Sequence, residues 1–175
     1  DLGATQFALP AAVDLLRSLR TPVQEDTREV VMLAATDPAN PYGALLRWPA
    51  AQEEGSTLTR TVGARVVLVD GALTAYLRRG NANIQVLIPE DEPARSQVSR
   101  ALAEFLVAQV QREGNPEGRG RTSMLVTSVN GVPVAEHSLA RFLLDAGFQP
   151  APMGFNVRRG LPQLPGRVVE TRADA

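Results

Sequence analysis

Apolar positions along the chain recur with periods that predict a helix, a strand and a three-stranded meander. Val13, Leu15, Leu16 and Leu19 keep helical spacing, so an amphipathic helix is predicted over 9–20. The apolar run within 28–35 predicts a strand. Three further runs within 63–89 predict consecutive antiparallel strands, because the dipeptides between them favour tight turns: Asp70-Gly71 and Gly80-Asn81.

The alternation within this meander assigns side chains to faces of the sheet. The second strand is predicted to place Leu73, Ala75 and Leu77 on one face. Its other face then carries Thr74, Tyr76 and Arg78. The third strand is predicted over 84–88.

The second half of the chain predicts helices and strands in turn. Residues 90–114 form a predicted amphipathic helix with acidic residues at its start and Gly114 at its end. A hairpin on Asn130-Gly131 is predicted over 123–134. A short helix is predicted over 138–148, capped by Ser138 and ended by Gly147, and prolines interrupt an edge strand over 149–159.

This order of elements predicts an α+β fold. Its sheet is expected to be mostly antiparallel, open or curled into a half-barrel, and packed with one long and one or two short helices. We expect residues 1–27 to be a lead-in with a helix, residues 28–159 to be the α+β module, and residues 160–175 to be a Pro-rich polar tail. Because the first residue is Asp1 rather than Met, we expect the chain to be part of a longer protein.

Composition narrows the chemistry that the chain can perform. It has no Cys and one His, which excludes thiolate and multi-His metal sites and fits a cytoplasmic location. No apolar run approaches the roughly 20 residues that span a bilayer, so no membrane partner is expected. All 18 basic residues are Arg, so a P-loop, which needs Lys, is excluded. A GC-rich genome and selection for phosphate recognition both explain this bias.

The segment over 34–49 concentrates rigid turn residues directly after a predicted strand. It contains Asp37-Pro38 and Asn40-Pro41, then Tyr42, and it ends near the only tryptophan, Trp48. One interpretation is a polar site formed by Asp37, Asn40 and Tyr42. The other, which the turn chemistry of Asx-Pro pairs favours, is a sharp turn that anchors Tyr42 and Trp48 in a core or against a neighbouring domain.

Arginine beside aromatic residues marks the candidate nucleic-acid contacts. Bases stack on aromatic rings while guanidinium groups hold phosphates. The candidates are Arg47, Trp48, Tyr76, Arg78, Arg79, Arg158 and Arg159. The alternative is that Trp48 belongs to the core and the arginines are solvated, since aromatic residues make up only 5% of the chain.

Acid/base chemistry has weaker candidates. His137 lies beside Glu136, but a lone His before a helix is more often a solvated or capping residue. Ser138 lacks the G-x-S-x-G context of a nucleophile. The carboxylates Glu90, Asp91 and Glu92 are explained by the dipole of the helix that they open, so no metal site is predicted.

Three segments together resemble a known family: "VVMLAATDPANPYGALLRWP", "GARVVLVDGALTAYLRRG" and "LLDAGFQPAPMGFNVR". They resemble the C-terminal region of the bacterial large helicase-related proteins, Lhr, over about residues 7–159. The resemblance implies a parent that is a superfamily 2, ATP-dependent DNA helicase moving on single strands. ATP and magnesium would bind upstream, and no cofactor is expected in this chain. The turn Asn81-Ala82-Asn83 departs from the Gly-rich turn of the family.

The resemblance implies an accessory domain that follows winged helices, similar to those of AlkZ-type DNA glycosylases, and that supports DNA binding, translocation and repair. A second interpretation makes the domain part of a uracil-excising glycosylase site, for which Asp37 and Asp145 are nominal catalytic candidates. A third is a scaffold for homo-oligomers. No catalytic residue is carried over from the family, so whether the chain is itself an enzyme is left open.

Overall fold

The computed structural model describes residues 9–18, 28–50, 56–80, 82–112 and 123–160. The predicted loop over 115–121, the helix-ending Gly114, the turn residue Asn81 and the predicted tail beyond Gly160 lie outside these residues. The described elements comprise helices α1 (Pro10–Ser18), α2 (Ala94–Arg112) and α3 (Ala140–Ala146). The strands are β1 (Val30–Ala34), β2 (Arg65–Val69), β3 (Ala72–Leu77), β4 (Asn83–Val86), β5 (Ser123–Val126), β6 (Ser128–Val129), β7 (Val132–Pro133), β8 (Gln149–Ala151) and β9 (Gly154–Arg158).

The strands form two sheets, and neither is a closed barrel. Six strands in the order β1-β2-β3-β4-β6-β7 make the larger sheet, which is antiparallel except where β4 pairs with β6. The smaller sheet has the order β5-β9-β8 and is antiparallel throughout. The predicted α+β class and mostly antiparallel sheet are therefore confirmed.

The predicted meander is present, with its first turn in the expected geometry. Asp70 and Gly71 both have positive φ, 49° and 78°, as a type I′ hairpin turn requires. One prediction within it is wrong, because Leu73 lies with Tyr76 rather than with Ala75 and Leu77. The register shifts between Val67 and Leu68, which leaves an extra residue on β3 and moves Leu73 to the opposite face.

The predicted hairpin over 123–134 is shorter than expected, because the chain changes sheets at Thr127. β5 pairs with β9 in the smaller sheet, whereas β6 and β7 form the hairpin in the larger one. Thr127 fixes this crossing: its N–H donates to the Ala82 carbonyl at 3.0 Å and its hydroxyl donates to Asn83 Oδ1 at 2.9 Å. The turn at Asn130-Gly131 is confirmed, with φ of 52° and 78°.

Asn130 also joins strands through its side chain. Its Oδ1 accepts the Val86 N–H at 2.7 Å, and its Nδ2 donates to the Val86 carbonyl at 3.0 Å. The side chain thereby satisfies both backbone groups of Val86, the last residue of β4. The sequence predicted the turn at Asn130 but not this role.

Helix α2 covers one face of the larger sheet and supplies most of the helical part of the core. Its buried residues Val98, Leu102, Leu106 and Val110 follow the predicted spacing. The helix begins at Ala94, after the acidic residues rather than at them. The main core also includes residues from both sheets and from α3: Val67, Ala75, Val126, Val129, Leu143, Phe155 and Val157.

The short helix α3 ends as predicted but begins differently. Gly147 takes the left-handed conformation, φ 116°, and its N–H closes the helix. Ser138 does not cap the helix, whose N-cap residue is Leu139 without a side-chain cap. Helix α1 has no buried residue. No described helix is long and apolar enough to cross a membrane.

Candidate nucleic-acid interface

The turn-rich segment after β1 is held together by a buried asparagine. Asn40 is fully buried, and its Nδ2 donates to the Ala35 carbonyl at 2.9 Å. Its Oδ1 accepts the Tyr42 N–H at 3.1 Å. Asp37 forms an Asx turn in which its Oδ1 accepts the Ala39 N–H at 2.8 Å. Asp37 and Asn40 therefore satisfy backbone groups of their own segment.

Arg60 closes the same segment from outside. Its Nη1 donates to the carbonyls of Asn40 at 2.8 Å and Tyr42 at 3.1 Å. Its Nη2 donates to the carbonyls of Thr36 at 3.1 Å and Asp37 at 3.0 Å. One guanidinium thus bonds four carbonyls of one turn, which a fork of five donors allows. The sequence did not single out Arg60, because nothing in its local pattern indicates a partner some twenty residues away.

The aromatic residues of the site pack on one another. Trp48 stacks on Tyr42 with ring centroids 6.1 Å apart and meets Tyr76 edge-on at 5.8 Å. Tyr76 is only 1% exposed, and its hydroxyl donates to the Thr59 carbonyl at 3.0 Å. The segment therefore anchors Tyr42 and Trp48 on a second, smaller core on the sheet face opposite α2. Its buried residues are Ala35, Leu58, Ala64, Val66, Leu73 and Tyr76.

This packing changes the set of candidate stacking residues. The ring of Tyr76 presents no face to solvent, and Trp48 is half-buried with two tyrosines against it. Arg47, beside Trp48, is exposed. The burial of Tyr76 argues against base stacking on its ring, while the exposed arginines remain candidate phosphate contacts.

A groove opens at the opposite face of the larger sheet, where both sheets meet the C-terminal half of α2. It has a cavity volume of about 40 Å³. The residues that line it come from β1 to β3 and their flanking turns, from α2 and from β5: Met32, Gly63, Arg65, Leu77, Arg78, Leu106, Gln109, Val110, Met124 and Leu125. Arg65 was not among the predicted contacts, since its position in β2 resembles that of any strand-end residue.

Arg78 and Arg79 both lie at this groove. Arg78 lines it, while its Nη2 donates to the Thr57 carbonyl at 3.0 Å and to Ser56 Oγ at 3.1 Å. Arg79 lies over Gly63, since a Cβ built there would fall 2.5 Å from Arg79 Cδ. Both side chains are exposed.

Arg158 lies on β9, next to the groove-lining strand β5. It pairs across the smaller sheet with Ser123, the neighbour of the lining residue Met124. Its carbonyl accepts Gln111 Nε2 at 3.4 Å from the last turn of α2. Arg159 follows β9 and is exposed. The structure thus brings Arg78 and Arg79 to this groove, places Arg158 on the strand that pairs with β5, and leaves Arg47 in the turn-rich segment on the other face.

The acid/base candidates do not come together. Asp145 lies exposed on α3, whereas Asp37 lies in the turn after β1. Glu92 accepts hydrogen bonds from Ser96 and Arg95, which lower the pKa of its carboxyl and hold the start of α2. Among the described residues, no group of three or more His, Asp or Glu is placed to hold a metal ion.

His137 has a structural role before α3. Its Nδ1 accepts the N–H of Leu139, the N-cap residue of α3, at 3.1 Å, so it holds the turn before the helix rather than capping the helix. Burial lowers the pKa of the imidazole from its ordinary value, because the charged form loses hydration. Protonation at Nδ1 also removes the acceptor of this bond.

We expect His137 to make the chain less stable in mild acid. The unfolded chain binds the proton at the ordinary pKa of about 6.5, before the folded chain does, so stability is lost as the pH falls below that value. His137→Asn keeps an acceptor for Leu139 and cannot titrate. Urea denaturation at about pH 7.5 and about pH 5.5 measures the free energy of unfolding of both proteins. Between these two pH values, wild type should lose more of its free energy of unfolding than the variant does. An unchanged difference would contradict the prediction.

The chain is a mixed α+β domain with a mostly antiparallel six-stranded sheet and an antiparallel three-stranded sheet. Arginine residues are among those that line the groove where the two sheets meet. No protein-family model matches the chain. It is 38% identical over 168 residues to the "Lhr helicase/ probable uracil glycosylase" of Mycolicibacterium smegmatis, which covers 90% of this chain and 10% of that protein. It is 35% identical over 158 residues to the "Lhr helicase/uracil glycosylase" of Escherichia coli K12, covering 89% of this chain and 9% of that protein.

These similarities confirm the resemblance to the C-terminal region of Lhr-type proteins. The chain spans about a tenth of the length of the curated relatives it matches. It corresponds to a domain of an Lhr-type protein.

Proposed function

We propose that this domain is an accessory element that contacts single-stranded DNA for an Lhr-type helicase and packs on upstream winged-helix domains. The observation that carries the proposal is the placement of the exposed Arg78 and Arg79 at one groove, with Arg158 on β9, the strand that pairs with the lining strand β5. Guanidinium groups suit phosphates because their fork donates two parallel hydrogen bonds. The names of the two relatives supply the helicase context.

We expect the chain to bind short single-stranded DNA with an affinity that falls steeply as salt rises. Replacing Arg78 and Arg79 together by Gln should lower the slope of log affinity against log salt by about 1.4, which is about 0.7 for each lost phosphate contact. Fluorescence anisotropy across a salt series measures both quantities.

The matched control removes the same charge elsewhere. Arg100 on α2 and Arg141 on α3 are exposed and do not line the groove. The Arg100→Gln, Arg141→Gln double variant should keep most of the wild-type slope. An equal decrease of the slope in the two double variants would show that binding depends on net charge alone. The proposal would be overturned if the folded wild type did not bind DNA even at low salt.

The names of both relatives favour a second candidate, a share in uracil excision. Excision needs a carboxylate or amide that activates water beside a flipped base. Asp37→Asn is a sharp test, because the amide oxygen can still accept the Ala39 N–H that Asp37 Oδ1 now accepts. Asp145→Asn is equally mild on an exposed helix face. Loss of uracil release by the whole parent protein in either folded variant would support this candidate, and full activity in both would remove it.

A further inference from the structure

Helix α1 is amphipathic, and the structure leaves its apolar face exposed. Ala12, Val13 and Leu16 share one face of the helix, and Leu15 extends that face on one side. Leu15 and Leu16 are 62% and 61% exposed, and Leu9, which precedes the helix at the same spacing, is 77% exposed. No residue of α1 is buried, whereas α2 and α3 both bury apolar residues in the main core.

The opposite face of α1 is polar and carries no net charge. Asp14 and Arg17 lie there, with Arg17 Nη1 3.3 Å from Asp14 Oδ1 and both side chains 73% exposed. A helix that lies on a membrane surface is instead rich in Lys and Arg on its polar face. The apolar face of α1 therefore suits a protein surface rather than a lipid surface.

The length of α1 shows that its apolar face needs a partner. The helix has nine residues, and isolated helices shorter than about 12–15 residues are marginal in water. Its first turn is closed only locally, since the Leu9 carbonyl accepts the N–H groups of Ala12 at 2.9 Å and Val13 at 3.1 Å. In proteins, most of the stability of a helix comes from packing of its apolar face. The exposed leucines of α1 do not supply that packing within the described chain.

The size of this face decides what kind of partner can cover it. Nine residues make a helix ~14 Å long and ~10–12 Å wide with its side chains, so the face offers about 300 Å². A stable complex of separate molecules buries about 800 Å² on each partner. The face is too small for such a complex. A partner within the same polypeptide needs less area, because a short tether holds it at about millimolar effective concentration.

The relatives indicate where in the polypeptide such a partner lies. The chain matches about the C-terminal tenth of both Lhr-type proteins. In a parent of that kind, nearly all of the polypeptide precedes α1, which is the first described element of the chain. The domain directly before α1 is therefore the surface that its tether keeps closest.

We propose that the apolar face of α1 docks in an apolar groove on the domain that directly precedes it in the same polypeptide. An amphipathic helix that lays its apolar face in a groove is a recurrent mode of recognition. The inference rests on the proposed function, because it names the surface through which this domain packs on the upstream part of the parent. It does not depend on DNA binding, since no residue of α1 lines the groove of Arg78.

The test measures amide hydrogen exchange of residues 10–18 in the whole parent protein. If α1 docks, these amides should exchange at least roughly tenfold more slowly than in an unfolded peptide. Leu16→Ala should remove most of this protection, because it deletes most of a buried apolar contact. Alanine is the better helix former, so an undocked helix would instead become slightly more protected. The two explanations therefore predict changes of opposite sign.

Ser18→Ala is the matched control for Leu16→Ala. Ser18 lies in the same last turn of α1 but on the polar face. The substitution also raises helix propensity and removes no apolar contact, so the protection should be kept. Both residues are exposed in the chain, so neither variant disturbs the core of the domain.

The outcomes separate this proposal from the DNA contact. The docking would be overturned if α1 exchanged at the unprotected rate in the wild-type parent, or if Leu16→Ala left its protection unchanged. Protection that falls as the parent is diluted would assign the face to a second copy and would also overturn it. DNA binding by the wild-type chain is measured separately. Its absence beside a protected α1 overturns only the DNA contact, and its presence beside an unprotected α1 overturns only the docking.

Discussion

Replacing Arg60 by Ala should lower the free energy of unfolding by about 3 kcal/mol. The four carbonyl oxygens that its guanidinium bonds, those of Thr36, Asp37, Asn40 and Tyr42, would all lose a donor. Hydrogen bonds to charged groups contribute about 1.5–3 kcal/mol each, but Arg60 is only half-buried. Water would then replace part of the loss, so the four contributions do not add.

Urea denaturation measures this change in the free energy of unfolding. Two further variants show whether the charge of Arg60 or the geometry of its guanidinium is responsible. Arg47→Ala removes an exposed arginine of the same segment and should change stability by no more than about 0.5 kcal/mol. Arg60→Lys should recover only part of the stability, because an ammonium is a compact charge that cannot spread over four carbonyls. Full recovery in the Lys variant would show that the charge, rather than the geometry of the fork, stabilises the turn.

A double-mutant cycle with Asn40 tests whether the turn is one cooperative unit. Asn40→Ala leaves the Ala35 carbonyl and the Tyr42 N–H without their buried partner, at about 1–3 kcal/mol each. Because both side chains hold the same segment, the loss in the double variant should be smaller than the sum of the two single losses. Strict additivity would mean that Arg60 and Asn40 stabilise the turn independently.

Gly154→Ala should be the most damaging single substitution that we predict, at about 4 kcal/mol or more. A Cβ built at Gly154 would fall 2.1 Å from the Val126 carbonyl oxygen and 2.8 Å from the Thr127 Cα. Those atoms are backbone at the point where the chain crosses between sheets, so they cannot rotate away. Gly154 also has φ 136°, a conformation that an L side chain rarely adopts.

Gly71→Ala separates backbone strain from steric overlap. Gly71 has φ 78°, and a Cβ built there meets nothing within 4 Å. This variant should therefore cost about 1–2 kcal/mol, the strain of a left-handed residue alone. Similar losses in Gly71→Ala and Gly154→Ala, measured by urea denaturation, would show that the smaller sheet moves to accommodate the added methyl group.

Gly154 also shows what could not be predicted from the local sequence. Gly154 belongs to one of the segments that resemble Lhr proteins, but its local sequence gives no reason for a glycine there. The reason is the close approach of β9 to Val126 and Thr127, which are nearly thirty residues away. Arg60 is a similar case, because its four acceptors are set by how two loops meet.

Within the predicted nucleic-acid site, the arginines are exposed, whereas the aromatic rings are largely covered. Arg78, Arg79 and Arg158 are exposed, as a phosphate contact needs. Tyr76 alternates as predicted, but its face of the sheet is covered by the segment that carries Trp48, so both sides of the sheet are buried. Period-two alternation tells which residues share a face, but it does not tell which faces are covered.

The sequence by itself determined the three helices, the meander, the two Asx-Gly hairpin turns, the α+β class and the resemblance to Lhr proteins, because these depend on neighbours a few residues apart. It was wrong in predicting one edge strand over 149–159, where the chain forms two strands, β8 and β9, with β9 in the middle of the smaller sheet. Only the tertiary structure decided the bulge that moves Leu73, the change of sheet at Thr127, the four-carbonyl role of Arg60 and the groove. Each of these depends on contacts between distant residues, which a local pattern of hydrophobic and polar positions does not encode.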